Sequence, residues 1–143
     1  LWRLTVKTNY SKKSNKQLEA ILWKWFSLFI RLRDSDFDGF CECVTCHKVD
    51  YYKLMDSGHF VSRDRKSTKF DEKNNHAQCP ACNRFKSGKQ YEHGIAIDQK
   101  YGHGTAEELL LKSKMTCKRS SGDLINLITY YKNEVTENPL YRD

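Results

Sequence analysis

The apolar residues Leu18, Ile21, Leu22, Trp25, Phe29 and Leu32 recur at three- and four-residue intervals, the spacing of one helical face. Ser14 with Gln17 three residues later is a capping-box pattern, in which side chains satisfy amides that the first helical turn leaves open. Together they predict a helix from about Asn15 to Arg33. The run Asp34-Ser35-Asp36-Phe37-Asp38-Gly39 stops it, because short polar side chains compete for backbone groups and Gly39 accepts turn geometry. A calcium loop starting at Asp34 would need Glu at position twelve, where Thr45 stands, so the run reads as a solvated turn. Strand-like pieces follow at Tyr51 to Leu54 and Gly58 to Ser62. Thr105 and Glu108 form a second capping-box pattern ahead of Leu109, Leu110 and Leu111. Leu124, Leu127, Ile128, Tyr131 and Val135 then mark a last helix before Pro139. The opening Leu1 to Ser14 is polar and basic without a clear period, and reads as an extended arm or loosely held strand.

A chain of 143 residues suits one compact unit with a modest core. Three regions are expected within it: an arm and amphipathic helix over 1–40, a motif-bearing core over 41–104, and C-terminal helices over 105–143. No stretch is apolar enough to span a membrane, since Lys24 and Arg31 interrupt Leu18 to Leu32. With no secretory signal pattern at the start, a cytoplasmic location is expected.

The net charge is +7, and 19 of the 25 Lys and Arg residues fall in the first 100, which favours a polyanionic partner. The last 39 residues carry six basic and six acidic side chains, so they read as packing or dimerisation material.

Four of the six cysteines form two Cys-x-x-Cys pairs, Cys43 with Cys46 and Cys79 with Cys82. Each pair lets one tight turn offer two thiolates to an ion, and two pairs complete a closed tetrahedral zinc site. The 32 residues between them, His47 to Gln78, leave room for a hairpin and a loop. That spacing suits a treble-clef arrangement with a helix after the second pair. Cys41 and Cys117 are left as bystanders, and His47 as an exposed turn residue.

Between and beside the pairs stand Asp56-Ser57-Gly58-His59-Phe60, Asn74-Asn75-His76-Ala77-Gln78, Asn83 and Ser87-Gly88. With the cysteines, this set resembles the NinG/Rap family of phage recombination proteins, within the HNH, or ββα-metal, endonucleases. The resemblance covers about Trp23 to Gly88. It implies an α+β fold with a zinc-stabilised treble-clef, ββα-metal core flanked by N- and C-terminal helices, acting on branched DNA in phage recombination. It implies His59 as general base, with Asn74 ordering the loop that orients it. An imidazole with its ordinary value near 6.5 suits that role at cellular pH.

Asn83 and Asp56 are then candidates for a catalytic Mg²⁺ or Mn²⁺, because oxygen donors suit a hard ion. The common HNH pattern has a metal ligand immediately before the base, where Gly58 stands. Asp56 lies three residues before His59, on the opposite face of a regular strand, so a bulge at Gly58 is needed to unite them. Arg63, Arg65 and Lys66 after the hairpin, and Arg84, Lys86 and Lys89 after the second pair, are expected to meet DNA phosphates. A homodimer would suit a two-fold symmetric junction.

His76 reads equally as ligand or structural residue, and His93 and His103 as surface-loop residues among glycines. Trp23, Trp25, Phe26 and Phe29 read as core. Two rival readings keep the cysteines: a noncatalytic zinc module that binds DNA or protein, and a thiol oxidoreductase.

Overall fold

The computed structural model describes residues 9–141. The expected arm therefore lies mostly outside the described residues, and its last part, Tyr10 to Lys13, closes a turn. The first helix, α1, runs Asn15–Arg33. The amide of Gln17 donates to Ser14 Oγ, and the Ser14 amide donates back to Gln17 Oε1, so the predicted capping box forms. Its inner face buries Leu18, Leu22, Phe26 and Ile30 against Leu124, Ile128 and Tyr131 of the last helix. Each buried aliphatic side chain contributes about 1.5–3 kcal/mol, which makes this helix pair the main apolar brace of the molecule.

Two small antiparallel sheets lie between these helices in sequence. In the first, β1 (Phe40–Glu42) pairs with β2 (Val49–Tyr51), and Cys43 and Cys46 sit in the connection between them. Tyr52–Leu54, expected as strand, instead makes a 3-10 turn that buries Tyr52 among the cysteines and leaves Lys53 and Leu54 exposed. In the second sheet, β3 (Asp56–His59) pairs with β4 (Asn75–Gln78). The strand ends at His59 because the amides of Phe60 and Val61 are taken by the carbonyl and side chain of Asn74. The connection then carries the short helix α2 (Lys66–Lys69).

After the second cysteine pair the chain makes a wide π-type turn, Ala81–Phe85, and a 3-10 turn, Ser87–Lys89, before α3 (Gln90–Tyr101) begins. No regular helix starts at the cysteines, since Ser87, Gly88 and Lys89 take left-handed φ values of 52°, 72° and 44°. Next come α4 (Thr105–Ser113) and α5 (Ser121–Glu137). The Thr105 capping box does not form: Gly104 precedes the helix with φ 95°, and Thr105 Oγ1 donates to the Gly102 carbonyl. A capping box does open α5, from Ser120 and Asp123. Phe60, Val61, Ile97 and Leu109 make a smaller core that holds α3 and α4 to the end of β3. Among the described residues, no helix is long and apolar enough to cross a membrane.

The sheet register runs unbroken from Asp56 opposite Gln78 to His59 opposite Asn75, so the expected bulge at Gly58 is absent. The glycine has a different reason. Gln78 lies across it, donating from Nε2 to Thr45 Oγ1 at 3.0 Å and to the Gly88 carbonyl at 2.9 Å. A Cβ at position 58 would collide with Gln78 Oε1. Gly58→Ala is expected to displace Gln78 and cost about 1–3 kcal/mol, as overpacking does, read as a lower urea midpoint. An unchanged midpoint would mean that Gln78 moves aside freely.

Candidate metal centre and adjoining cleft

The β1–β2 connection and the wide turn after β4 bring Cys43, Cys46, Cys79 and Cys82 together, with every pair of Sγ atoms within 4.8 Å. A tetrahedral ion with sulfur at about 2.3 Å needs sulfurs roughly 3.8 Å apart, and Cys46 and Cys79 stand at 3.6 Å. The four thiols could therefore hold a metal ion such as zinc. Their acidities diverge as crowded thiols' must. Burial and the neighbouring thiols push Cys79 up to about 12. Burial also opposes ionisation of Cys43, but the Thr45 hydroxyl and backbone amides outweigh it and bring that thiol down to about 6. Cys41 is buried in the adjacent core and Cys117 is half-buried elsewhere; neither joins the cluster. His47 is exposed and pairs with Glu42.

Beside this centre is an open, polar cleft of about 760 Å³. β3 supplies Asp56, Ser57 and His59; α1 supplies Trp23, Ser27 and Arg31; the turn after Cys82 supplies Asn83 and Arg84. Asp56 and His59 thus share one cleft without a bulge, because among the described residues β3 has a paired neighbour on one side only. Ser57 Oγ is buried there with no hydrogen-bond partner among the described residues.

His59 is held on two sides. Its Nε2 lies 3.1 Å from the Lys69 carbonyl, and since a carbonyl only accepts, Nε2 carries the hydrogen and Nδ1 is the basic nitrogen of the neutral ring. The indole of Trp23 stacks on the imidazole at 4.8 Å between centroids and 22° between planes. The Lys69 carbonyl is itself anchored by Asn75 Nδ2, which also donates to the Asp71 carbonyl. Asn74, fully buried, accepts from the Val61 amide through Oδ1 and donates through Nδ2 to the carbonyls of Val61 and Thr68. Asn74 therefore fixes the loop around α2, while Asn75 fixes the atom that His59 touches. A second Asn beside the first, in a segment rich in polar residues, was the available signal for Asn75. For Trp23 the apolar pattern alone pointed to core, and its position over His59 follows from how α1 meets β3.

Asp56 is bound by two residues of the turn that carries Cys82. Asn83 Nδ2 donates to Oδ2 at 3.0 Å, while Arg84 donates from Nε to Oδ2 at 2.9 Å and from Nη2 to Oδ1 at 2.8 Å. Because a carboxylate only accepts, the Asn83 amide nitrogen faces Asp56 and its Oδ1 remains for another partner. Arg63 joins Arg84 on the cleft lining. Arg65, Lys66 and Lys86 are exposed and Lys89 is half-buried, all outside that lining.

His76 on β4 and His93 on α3 are both buried. His76 Nδ1 is 3.0 Å from His93 Nε2, and its Nε2 is 3.0 Å from Tyr101 Oη, so both ring nitrogens serve the interior. His93, expected in a surface loop, belongs to α3 and is completely buried. Its neighbour Gly94 makes room for the Phe60 ring. His103 is exposed, as expected. Asp34, read as part of a solvated turn, is half-buried instead: its carboxylate accepts from Arg33 and from the Ala77 amide, tying the end of α1 to β4. Burial alone would raise its acidity constant, but the Arg33 guanidinium and that amide hold it below the usual carboxylate range.

Burial holds all three histidines neutral, pushing His59 and His93 down to about 4 and His76 to about 3. For His59 the Lys69 carbonyl opposes the shift, and the charges of Arg63 and Lys69 add to it. Below the unfolded value near 6.5 the unfolded chain takes up protons that the folded chain refuses. The histidines therefore take stability away steadily as pH falls from about 6.5 to 4 and add no slope above pH 7. Thermal melts across that range check it, and a flat profile from pH 7 to 5 would contradict burial of neutral histidines.

The family described as "Bacteriophage Lambda NinG protein" matches residues 3–139 of this chain. The proteins named ninG of Salmonella phage P22 and Escherichia phage 933W are each 30% identical over 82 residues. The Escherichia phage lambda protein is 29% identical over 82 residues. These matches span 57% of this chain and 38% of each relative. No solved structure matches it.

Proposed function

We propose, from the premise that this chain belongs to the bacteriophage NinG family, that it is a metal-dependent DNA endonuclease of the HNH, ββα-metal type. The observation that carries this reading is a neutral His59, donating from Nε2 to a fixed carbonyl and stacked under Trp23, in the same polar cleft as Asp56 and Asn83. The β3–β4 hairpin and the turn bearing Asn83 take the parts of the ββα-metal core, with a structural zinc on the four cysteines as clamp.

Phosphodiester hydrolysis needs a deprotonated water, positive charge on the phosphate and support for the departing 3′ oxygen. His59 Nδ1 accepts the proton of the attacking water, whose oxygen bonds to phosphorus as the bond to the 3′ oxygen breaks. The products are a 5′-phosphate and a 3′-hydroxyl, the latter taking its proton from solvent. Lys69 and Asn75 keep the hydrogen on Nε2 through the step, and the carbonyl stabilises the imidazolium that forms. Asp56 and Asn83 Oδ1 offer the adjacent oxygen donors that suit Mg²⁺ or Mn²⁺. When bound there, the divalent ion supplies charge stabilisation to the phosphate and leaving oxygen. Arg63 lies where it can meet a neighbouring phosphate, and Arg65, Lys66, Lys86 and Lys89 extend the basic surface beyond the cleft. Branched recombination intermediates are the proposed substrates, in the phage-infected cell.

A noncatalytic zinc module that binds DNA or protein has one observation in its favour: Asp56 is already fully paired with protein donors. Incubating the zinc-loaded protein and His59→Ala with flap, Holliday-type and linear DNA, in Mg²⁺, Mn²⁺ or EDTA, separates the two. Metal-dependent cleavage that requires His59 supports the nuclease. Equal cleavage by both proteins removes His59 from the chemistry, and binding without cleavage by either supports the noncatalytic module.

A further inference from the structure

We propose that Arg84 is a movable counter-cation: it neutralises Asp56 until a divalent cation takes that carboxylate, and the freed guanidinium then grips a phosphate of the bound DNA. This rests on reading the cleft as a divalent-cation-dependent nuclease site. Both oxygens of Asp56 are occupied, Oδ1 by Arg84 and Oδ2 by Arg84 and Asn83. A cation coordinated directly at those oxygens would face the guanidinium across a few ångströms, so the two positive groups compete for one carboxylate.

The asymmetry of burial says which partner moves. The Asp56 side chain is 17% exposed, in a strand paired along its length, whereas that of Arg84 is 63% exposed. Arg84 lies in the same turn as the buried Cys82, and its side chain lines the open cleft. The pair is a two-point fork, but its guanidinium half is open to water, so a cation competing for the carboxylate displaces Arg84 and leaves Asp56 in its strand.

Charge balance then couples the two events. With Arg84 in place the pair is neutral. With a divalent ion at Asp56 and Arg84 released, the cleft gains two positive charges in a space that already holds Arg31, Lys53 and Arg63. A guanidinium meets phosphate oxygens with two parallel hydrogen bonds, so Arg84 has a second partner of matching geometry once substrate arrives. Ser57 Oγ, on the same wall, is a further buried polar atom without a partner among the described residues. Cation binding and phosphate binding are thus cooperative, and Arg84 is the positioning residue that links them.

The test uses the zinc-loaded full chain, with zinc content and melting temperature checked for each variant. Free Mn²⁺ is measured by electron paramagnetic resonance during titration of the wild type, R84A, R84K and D56N. Labelled flap DNA is titrated by anisotropy with and without Ca²⁺. R84A is expected to bind Mn²⁺ roughly threefold or more tightly than wild type, as loss of an exposed competing charge allows, with R84K between them and D56N much weaker. Ca²⁺ is expected to tighten DNA binding by the wild type and to do so far less in R84A. Equal Mn²⁺ affinity in wild type and R84A, with D56N impaired, would overturn the counter-cation role and leave the nuclease reading standing. Mn²⁺ binding indifferent to D56N would overturn both the proposal and the placement of the cation.

Discussion

Replacing His59 with alanine is expected to lower the rate of Mg²⁺-dependent cleavage by about a hundredfold to ten-thousandfold, the range that a positioned base contributes. His59→Gln sharpens the result, since its amide nitrogen can still donate to the Lys69 carbonyl but nothing replaces the Nδ1 lone pair. Both variants should retain zinc and bind flap DNA, measured by metal analysis and anisotropy. The low value of His59, about 4, also sets the pH dependence. The neutral base persists well below pH 6.5, so the acid limb of single-turnover rates should fall nearer pH 4 to 5 than 6.5. A glutamine variant as active as wild type would remove the imidazole from the reaction.

The second large effect concerns the cysteines. Cys82→Ala, or chelation of the wild type, is expected to unfold the region around both hairpins. Structural zinc in small domains supplies apparent free energies of about 10–16 kcal/mol, against total stabilities of about 5–15 kcal/mol, so the metal decides whether the fold survives. Cys41, Cys43, Cys79 and Cys82 share a core with Leu32, Tyr52, Met55 and Val135, so the loss should reach α1 and α5. Circular dichroism before and after chelation, with one equivalent of zinc restoring the signal, checks it. Cys117→Ala should leave the signal unchanged. An apo protein with native melting would show that packing alone holds the four thiols together.

Legibility in the sequence followed the range of the interactions. The first helix could be bounded from Ser14, Gln17 and its apolar period because caps and periodicity are local. The same local pattern failed at Thr105, where Gly104 adopts a conformation that places Thr105 inside the helix and turns its hydroxyl to Gly102. At Ser120 the box used Asp123 in place of the expected Glu or Gln. The four cysteines could be paired because each knuckle declares itself within four residues. Three residues escaped because their roles depend on partners far away in the chain. Trp23 stacks on His59, 36 positions later, His93 reaches His76, and Gly58 is small because Gln78 crosses it. Periodicity marks which side of an element turns inward, without saying what it meets there.

The stacking of Trp23 on His59 bears on how far this chemistry could be carried to another protein. A fragment 41–104 would contain every cysteine of the cluster, the whole hairpin and the proposed base. It would leave behind one wall of the cleft, because Trp23, Ser27 and Arg31 come from α1, and α1 in turn leans on α5. Grafted onto a new host, such a fragment would present its imidazole to water on the face that the indole now covers. The portable unit is set by which helix roofs the histidine, and reaches from the Ser14 cap to the last turns of α5.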